Sequence, residues 1–209
     1  METSSVRVRE AFKEATDFLV GVVDSVGDDE WDRPALGAWN VAQLAVHASR
    51  GASTIVAYAS EPAELELGSA AEYYSRAMSL EGVHEAVASR TVEQAAALEV
   101  PVAQYVREAV HEANEVLSRT PANQVLGSIV GGIRLVDYLP TRIVELVVHG
   151  IDLADALGRE AEVPRSSMAI TLETLGDLAV ERPDLLDPTR ILRAITGRGT
   201  LPESANLLG

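Results

Sequence analysis

Apolar residues recur along most of the chain at alternating spacings of three and four, which is the period of an amphipathic helix. The first stripe of this kind consists of Val8, Phe12, Ala15, Leu19, Val22 and Val26. The second consists of Leu44, Ala48, Gly51, Ile55 and Ala59. Asn40 precedes the second stripe, and an asparagine side chain can accept a hydrogen bond from a first-turn amide. The pattern therefore predicts one helix that ends near Gly27 and another that runs from Asn40 to Glu61-Pro62.

The remainder of the chain continues the helical pattern, with one interruption. Further helices are predicted at about 70–78, 83–98, 101–117, 140–158, 165–181 and 188–196. Between Thr120 and Pro140, two short apolar runs flank Gly131-Gly132, which predicts a small β-hairpin with a two-glycine turn. Four long helices and one hairpin indicate an all-α four-helix bundle. We expect residues 1–160 to form this bundle and residues 161–209 to form a helical C-terminal extension packed on it.

The segment from Ile143 to Ala154 is apolar on nearly every side except at Glu145, His149 and Asp152. A helix that is apolar all round lies buried, and buried ionisable groups are costly unless they are paired or bind a metal. Glu145 and His149 are four residues apart, so they share one helix face. The spacing allows both side chains to hold one metal ion. A local hydrogen bond between them is the alternative interpretation.

The sequence contains no cysteine, which excludes disulfides, thiolate zinc sites, iron–sulfur clusters and a cysteine nucleophile. Any metal must therefore be held by nitrogen and oxygen atoms. Of the four histidines, His47 borders the apolar stripe of the second helix, whereas His84 and His111 lie among charged residues and are expected at the surface. His47 is the candidate third ligand, although a hydrogen-bonded core histidine is the alternative. Two imidazoles and one carboxylate suit zinc or another late divalent ion such as nickel, and three protein ligands leave one coordination position open for catalysis.

The net charge of −15 argues against nucleic acid as a partner, because phosphate binding needs a concentrated basic surface. The same acidity disfavours an anionic membrane surface. No apolar stretch is long enough to span a bilayer, and Met1 to Arg7 lacks the pattern of a signal peptide. We expect a cytoplasmic protein with small-molecule partners. An exposed Ala/Val face would allow a homodimer, but no feature of the sequence requires one.

Two stretches carry a family resemblance. The signature of the DinB-like superfamily is a tryptophan and a histidine separated by seven residues. It is resembled here by Trp39-Asn40-Val41-Ala42-Gln43-Leu44-Ala45-Val46-His47. The mycothiol-dependent maleylpyruvate isomerase family is resembled by a longer stretch, Asp137-Tyr138-Leu139-Pro140-Thr141-Arg142-Ile143-Val144-Glu145-Leu146-Val147-Val148-His149-Gly150-Ile151-Asp152-Leu153-Ala154. The tail at 192–198 is similar to a closing motif of the same family. The resemblance covers most of the chain from Trp31 onward and implies a DinB-like bundle.

The resemblance also implies roles for individual residues. In the family, zinc is held by a histidine of the second helix and by a glutamate and a histidine four residues apart in a later helix. These roles fall on His47, Glu145 and His149 without substitution. Arg142 and Asp152 match positions that flank the ligands, where they would orient a ligand or hold substrate in catalysis. An ion pair between Arg142 and Asp152 is the alternative.

The activity implied by the resemblance uses mycothiol or another low-molecular-weight thiol, activated at the open metal position. Addition of the thiolate to an electrophilic carbon leads to cis–trans isomerisation or to S-transfer. Larger family members carry a second, mixed α/β domain, whereas only about fifty residues follow Gly158, so we expect S-transfer to fit better than maleylpyruvate isomerisation. Arg193 and Arg198 would form an anion-binding arm over the pocket or a surface wrap. A metal-dependent hydrolase or lyase using activated water, and a non-catalytic metal-binding stress protein, are the alternative functions.

Overall fold

Helices make up most of the chain in the computed structural model, which describes residues 2–60 and 63–208. The described helices are α1 Glu2–Asp24, α2 Val41–Ala59, α3 Ala70–Met78, α4 Val83–Ala96, α5 Val102–Arg119, α6 Leu135–Ala156, α7 Arg165–Glu181 and α8 Pro188–Ile195. The described strands are β1 Leu65–Leu67, β2 Val125–Ser128 and β3 Gly131–Arg134. This architecture confirms the predicted all-α bundle with a small β element.

The bundle core lies between α1, α2, α5 and α6. Helix α2 packs against both α5 and α6, while α1 packs against α6 and α5. Phe12 and Leu19 of α1 and Leu44 of α2 are fully buried, together with Leu146 of α6. Most residues of α6 are buried, as its apolar sequence predicted. The candidate site residues of α6 therefore lie on the most buried helix of the bundle.

The start of α2 is fixed by a capping box at Asn40. The Asn40 side chain accepts a hydrogen bond from the Gln43 backbone amide at 2.9 Å, and the Gln43 side chain accepts one from the Asn40 amide at 3.1 Å. These reciprocal bonds satisfy two amides that would otherwise lack a helical partner. The predicted start of the helix is confirmed, and His47 consequently lies about two turns into α2.

The β-hairpin is confirmed, but its predicted turn is wrong. Strands β2 and β3 pair antiparallel, with Ser128 opposite Gly131, so Ile129 and Val130 form the turn and both glycines belong to β3. The reason is β1, an unpredicted strand that pairs parallel with the other edge of β3. A Cβ atom on Gly132 would lie 1.9 Å from the carbonyl oxygen of Glu64. Glycine is needed there because another backbone approaches, not because the chain turns.

Helix α6 begins at Leu135, five residues before the predicted start at Pro140. The Leu135 amide donates to the carbonyl oxygen of Gln124 at 2.8 Å, so the hairpin leads directly into the helix. Asp137 lies in the first turn, where a negative charge favours the helix dipole, and accepts from Arg134 Nε at 2.5 Å. Pro140 is accommodated near the start of the helix at the loss of one backbone hydrogen bond.

Beyond α6, helix α7 packs against α1, α3 and α6. It buries Ile170, Leu178 and Ala179, and the Ser167 hydroxyl donates to the carbonyl oxygen of Ala11 at 2.8 Å. Helix α8 contributes no buried residue. A boundary between a bundle domain and an extension at residue 160 stays a prediction. Among the described helices, none combines the length and the hydropathy needed to cross a membrane.

Candidate metal centre and pocket

The three predicted ligands come together between α2 and α6. His47 of α2 meets Glu145 and His149 of α6, and one ligand atom from each residue lies within 4.8 Å of the other two. The imidazole rings of His47 and His149 meet edge to face, with their centroids 4.7 Å apart. Residues distant in sequence thus present two ring nitrogens and one carboxylate oxygen to a common point.

A glycine permits the close approach of these two helices. Gly51 lies one turn after His47 and faces α6. A Cβ atom at this position would lie 2.8 Å from Leu146 Cγ and 3.3 Å from the carbonyl oxygen of Arg142. Any larger residue would push α2 away from the part of α6 that carries Glu145, so Gly51 helps to set the spacing of the cluster.

His149 is held between two carboxylates. Its Nε2 atom lies 3.5 Å from Glu145 Oε2, and its Nδ1 atom lies 3.0 Å from Asp152 Oδ2. A carboxylate on the far nitrogen fixes the ring orientation and the tautomer of a metal-binding histidine. Asp152 is therefore placed to orient His149. Its ion pair is with His149, and among the described residues none joins it to Arg142.

Glu145 is positioned by Tyr74, a residue of α3 that no pattern in the sequence indicates. The Tyr74 hydroxyl lies 3.0 Å from Glu145 Oε1 and 2.9 Å from the carbonyl oxygen of Thr141, so it shares its single proton between two acceptors. Burial and the charge of Glu145 hold the pKa of Tyr74 well above its usual range. The hydroxyl is thus a neutral donor that leaves Oε2 directed at His149.

Two uncharged side chains, Trp39 and Thr91, pack against His47 on the side away from the cluster. The indole ring of Trp39 lies 4.6 Å from the imidazole, centroid to centroid, and Thr91 Oγ1 lies 3.4 Å from Nδ1. This leaves Nε2 of His47 for the cluster. Burial, helped by the charge of His149, lowers the pKa of His47 to about 3. At neutral pH His47 is therefore in the neutral form that metal binding requires.

Glu145 and His149 are both charged at neutral pH. Burial opposes ionisation of Glu145, but its hydrogen bond with His149 and the positive charge of Arg142 outweigh burial and lower its pKa to about 2. Burial also opposes protonation of His149, but hydrogen bonds to Asp152 and Glu145 outweigh it and raise the pKa to about 9. A metal ion that binds to His149 must therefore displace a proton.

The cluster opens into a cavity of about 570 Å³, within the size range of sites for small organic ligands. Four aromatic residues line it, namely Trp39, Tyr58, Tyr73 and Tyr74. Its charged lining residues outside the cluster are Arg50, Arg142 and Asp152. From the C-terminal tail, Asn206 and Leu208 reach the cavity. Arg193 and Arg198 are exposed and absent from its lining, so the anion-binding arm expected from them is not formed.

Several lining residues were missed from the sequence. Arg50 lines the cavity, and its place one turn after His47 on the same helix face was a usable signal. The tyrosines at 73 and 74 gave no such signal, because their place depends on how the short helix α3 packs against α6 and α7. The same holds for the tail residues Asn206 and Leu208.

One family match includes all three candidate ligands and also Arg142 and Asp152. Residues 12–154, more than half of the chain, match the family model described as the mycothiol maleylpyruvate isomerase N-terminal domain. No curated protein and no solved structure gives a significant match to the chain. The match agrees with the resemblance found in the sequence and with the helical bundle. The chain belongs to the family of the mycothiol maleylpyruvate isomerase N-terminal domain.

Proposed function

We propose that His47, Glu145 and His149 bind a divalent metal ion, with zinc favoured over nickel. The observation that carries the proposal is the convergence of two imidazoles and one carboxylate from α2 and α6 at the edge of a cavity. Around a tetrahedral zinc ion the ligand atoms lie roughly 3.3 Å apart, given bonds of about 2.0–2.1 Å. The observed separations between the ligand atoms are at most 4.8 Å. Side-chain movements of about 1 Å would shorten them to the value expected around zinc. The donor set therefore fits the ion.

The surrounding residues support this role. Asp152 accepts the hydrogen bond of His149 Nδ1, and Tyr74 donates to the Glu145 oxygen that faces away from His149. Hydrogen bonds of this kind to metal ligands orient them and commonly contribute 10–100-fold to metal affinity. His47 is already neutral, so only His149 must lose a proton when the metal binds.

We further propose that the protein is an enzyme that uses a low-molecular-weight thiol, mycothiol in the first instance. A divalent ion with an open position lowers the pKa of a bound thiol. The cavity of about 570 Å³ adjoins the three ligands and is lined by aromatic side chains and two arginines, so small-molecule ligands could reach the metal position. The sulfur forms a bond to the electrophilic carbon while the thiol proton is released to solvent. Protonation of the adduct completes S-transfer. Breakage of the same C–S bond after rotation instead completes cis–trans isomerisation and returns the thiolate, which regains a proton from solvent.

The first test is metal content by mass spectrometry, on untagged protein purified without chelator. Three proteins are compared: the wild type, His149→Ala and His111→Ala. His111 is exposed on α5, away from the cluster, and serves as the matched histidine control. The expected result is near-stoichiometric zinc in the wild type and in His111→Ala, and no zinc in His149→Ala. A wild type that neither contains zinc nor takes up added zinc would refute the metal site.

The second test measures turnover of a panel of electrophiles by the zinc-loaded protein, with and without mycothiol. Turnover that requires both zinc and the thiol, and that His149→Ala abolishes, is the expected outcome. Turnover that requires zinc but no thiol would replace the proposal with a hydrolase or lyase. Zinc binding with no turnover under either condition would replace it with a non-catalytic metal-binding protein.

A further inference from the structure

The most exposed apolar side chains are concentrated on α7 and α8. Among the large hydrophobic residues that the structure describes, Ile195, Val180 and Leu172 have the highest exposed fractions, at 75%, 69% and 63%. Leu192 is 59% exposed. Both helices lie outside the family match at 12–154, and none of these side chains lines the cavity. Exposed apolar residues gathered on two consecutive helices indicate an interaction surface.

Two rows of side chains run along the exposed face of α7. The apolar row consists of Leu172, Gly176 and Val180. The acidic row consists of Glu173, Asp177 and Glu181, each one position after a member of the apolar row. Residues four apart share a helix face, so each row is continuous. Glu173 pairs with Arg7, whereas the described ion pairs include neither Asp177 nor Glu181. Helix α7 therefore presents an apolar row with acidic side chains along one side.

Helix α8 presents the opposite charge beside its apolar residues. Leu192 and Ile195 are exposed, and the exposed Arg190 and Arg193 lie next to them on the helix. The described ion pairs include neither arginine. Residues 188–209 contain three arginines and one glutamate, a net charge of +2, so the rest of the chain carries −17 of the total of −15. Helix α8 is therefore a basic element on an acidic protein.

The apolar side chains of α8 are not covered by the chain to which they belong. The helix has eight residues, and none of them is buried. Its first turn is capped, since the Asp187 side chain accepts a hydrogen bond from the Thr189 amide at 2.8 Å. A helix this short is nevertheless marginal in water unless an apolar face is packed. A partner surface that covers Leu192 and Ile195 would supply that packing.

The rows of α7 and α8 are complementary when the two helices run antiparallel. Glu173 follows Leu172 and Arg193 follows Leu192, so in both helices the charged residue is rotated from the apolar one by about 100° in the same sense. When two such helices face each other antiparallel with their apolar residues in contact, both charged rows fall on the same side. In a parallel pair they fall on opposite sides. Antiparallel contact thus buries the apolar residues and places the arginines of α8 beside the acidic row of α7.

We propose that α8 of one copy of the chain packs antiparallel against α7 of a second copy, and that α7 of the first copy receives α8 of the second. This mutual contact is a closed two-fold arrangement, the commonest among homo-oligomers. The charge of the chain favours this partner over an anionic membrane, which would repel the acidic body of the protein. The second copy, by contrast, supplies the acidic row itself. The contact is small, so the dimer should dissociate on dilution.

The test is the molar mass of the metal-free chain, measured by size-exclusion chromatography with light scattering over a dilution series. We expect the mass of two chains at high concentration and of one chain after dilution. Leu192→Ser combined with Ile195→Ser should be monomeric throughout, and circular dichroism checks its fold. The matched control is Val6→Ser, because Val6 is 50% exposed on α1 and lies away from α7 and α8 in sequence. This variant should dimerise like the wild type.

Charge reversal tests which helices meet. Arg190→Glu with Arg193→Glu should raise the dissociation constant of the dimer about tenfold or more, because like charges then face each other. Asp177→Arg with Glu181→Arg should do the same. The variant with all four substitutions should regain a dimer, since each contact again joins opposite charges.

A wild type with the mass of one chain at every concentration would overturn the proposal. A dimer that is equally tight in both charge-reversed variants would overturn it too. If the variant with all four substitutions stays as weak as its parents, α8 does not meet α7, and the proposal fails. Binding of a monomeric wild type to phosphatidylglycerol vesicles, lost in Leu192→Ser with Ile195→Ser, would replace the second copy with a membrane surface.

Discussion

Replacing Gly51 with alanine is expected to destabilise the fold and to weaken metal binding at the same time. The added Cβ atom would lie 2.8 Å from Leu146 Cγ and 3.0 Å from its Cδ2, and 3.3 Å from the backbone oxygen of Arg142. Leu146 is fully buried, and Cγ is the branch point of its side chain, so a rotamer change cannot clear the clash within a packed core. The relief must come from a displacement of α2 against α6.

Two opposing effects decide the magnitude. Overpacking of a buried contact costs about 1–3 kcal/mol, while glycine to alanine within a helix stabilises by about 0.5–1 kcal/mol. Because the nearest atoms are a rigid branch point and a backbone oxygen, the first effect dominates. We expect a net loss of about 1–2 kcal/mol, which for a chain of this size lowers Tm by about 2–8 °C. The same displacement separates His47 from Glu145 and should lower zinc affinity.

The matched control is Gly176→Ala, because Gly176 lies in α7 and a Cβ atom there would have nothing within 4 Å. This variant should gain about 0.5–1 kcal/mol from helix propensity alone and should bind zinc like the wild type. Guanidinium and thermal unfolding of metal-free protein measure the stabilities, and competition with a chromogenic chelator measures zinc affinity. If Gly51→Ala is as stable as Gly176→Ala, the close approach of α2 and α6 does not depend on glycine, and the reasoning fails.

Three further predictions concern the groups around the metal ligands. Tyr74→Phe should lower zinc affinity about 10–100-fold, because it removes the hydrogen-bond donor to Glu145. The neighbouring Tyr73→Phe should leave that affinity unchanged, and competition with a chelator measures both. The pKa of His149 is raised from 6.5 to about 9, so its protonation stabilises the metal-free fold fully below about pH 6.5, and that contribution is lost as the pH rises through about 9. The free energy of unfolding of the metal-free wild type should fall across this window, and His149→Gln should abolish that component. Asp152→Asn should move the decline to lower pH, since Asp152 is the largest favourable contributor to the raised pKa; a decline that stays in place would show that Asp152 does not hold the proton.

Much of the candidate site was accessible from the sequence because it lies on two long helices. The four-residue spacing in α6 and the apolar stripe of α2 specify which faces meet, and those faces carry Glu145, His149 and His47. By contrast, β1 has only three residues, and its partner β3 lies more than sixty residues away. No local pattern marks such a strand. The turn at Gly131-Gly132 was misassigned for the same reason, because the strand that needs the glycines was not foreseen.

The tyrosines of the pocket show a second limit of sequence reasoning. Tyr73 and Tyr74 are adjacent, equally buried at 5% and chemically identical, yet only the hydroxyl of Tyr74 reaches Glu145. Their roles depend on the rotation of α3 about its own axis, which its packing against α6 and α7 decides. Helical period alone predicts that two adjacent residues point about 100° apart. It does not predict which of them faces the candidate ligand Glu145.

The protonation states explain how so apolar a helix tolerates its ionisable groups without a metal ion. With His149 protonated between Glu145 and Asp152, each carboxylate faces a positive charge, and neither is buried alone. The proton thus holds the ligands in nearly the arrangement that a cation would impose. If a divalent ion replaced that proton, the charge of the cluster would rise by one, and the hydrogen bonds of Glu145 to Tyr74 and of His149 to Asp152 could remain. Helix α6 therefore accommodates the cluster both with the proton on His149 and with a metal ion in its place. This favours a metal site that is already formed before the metal binds.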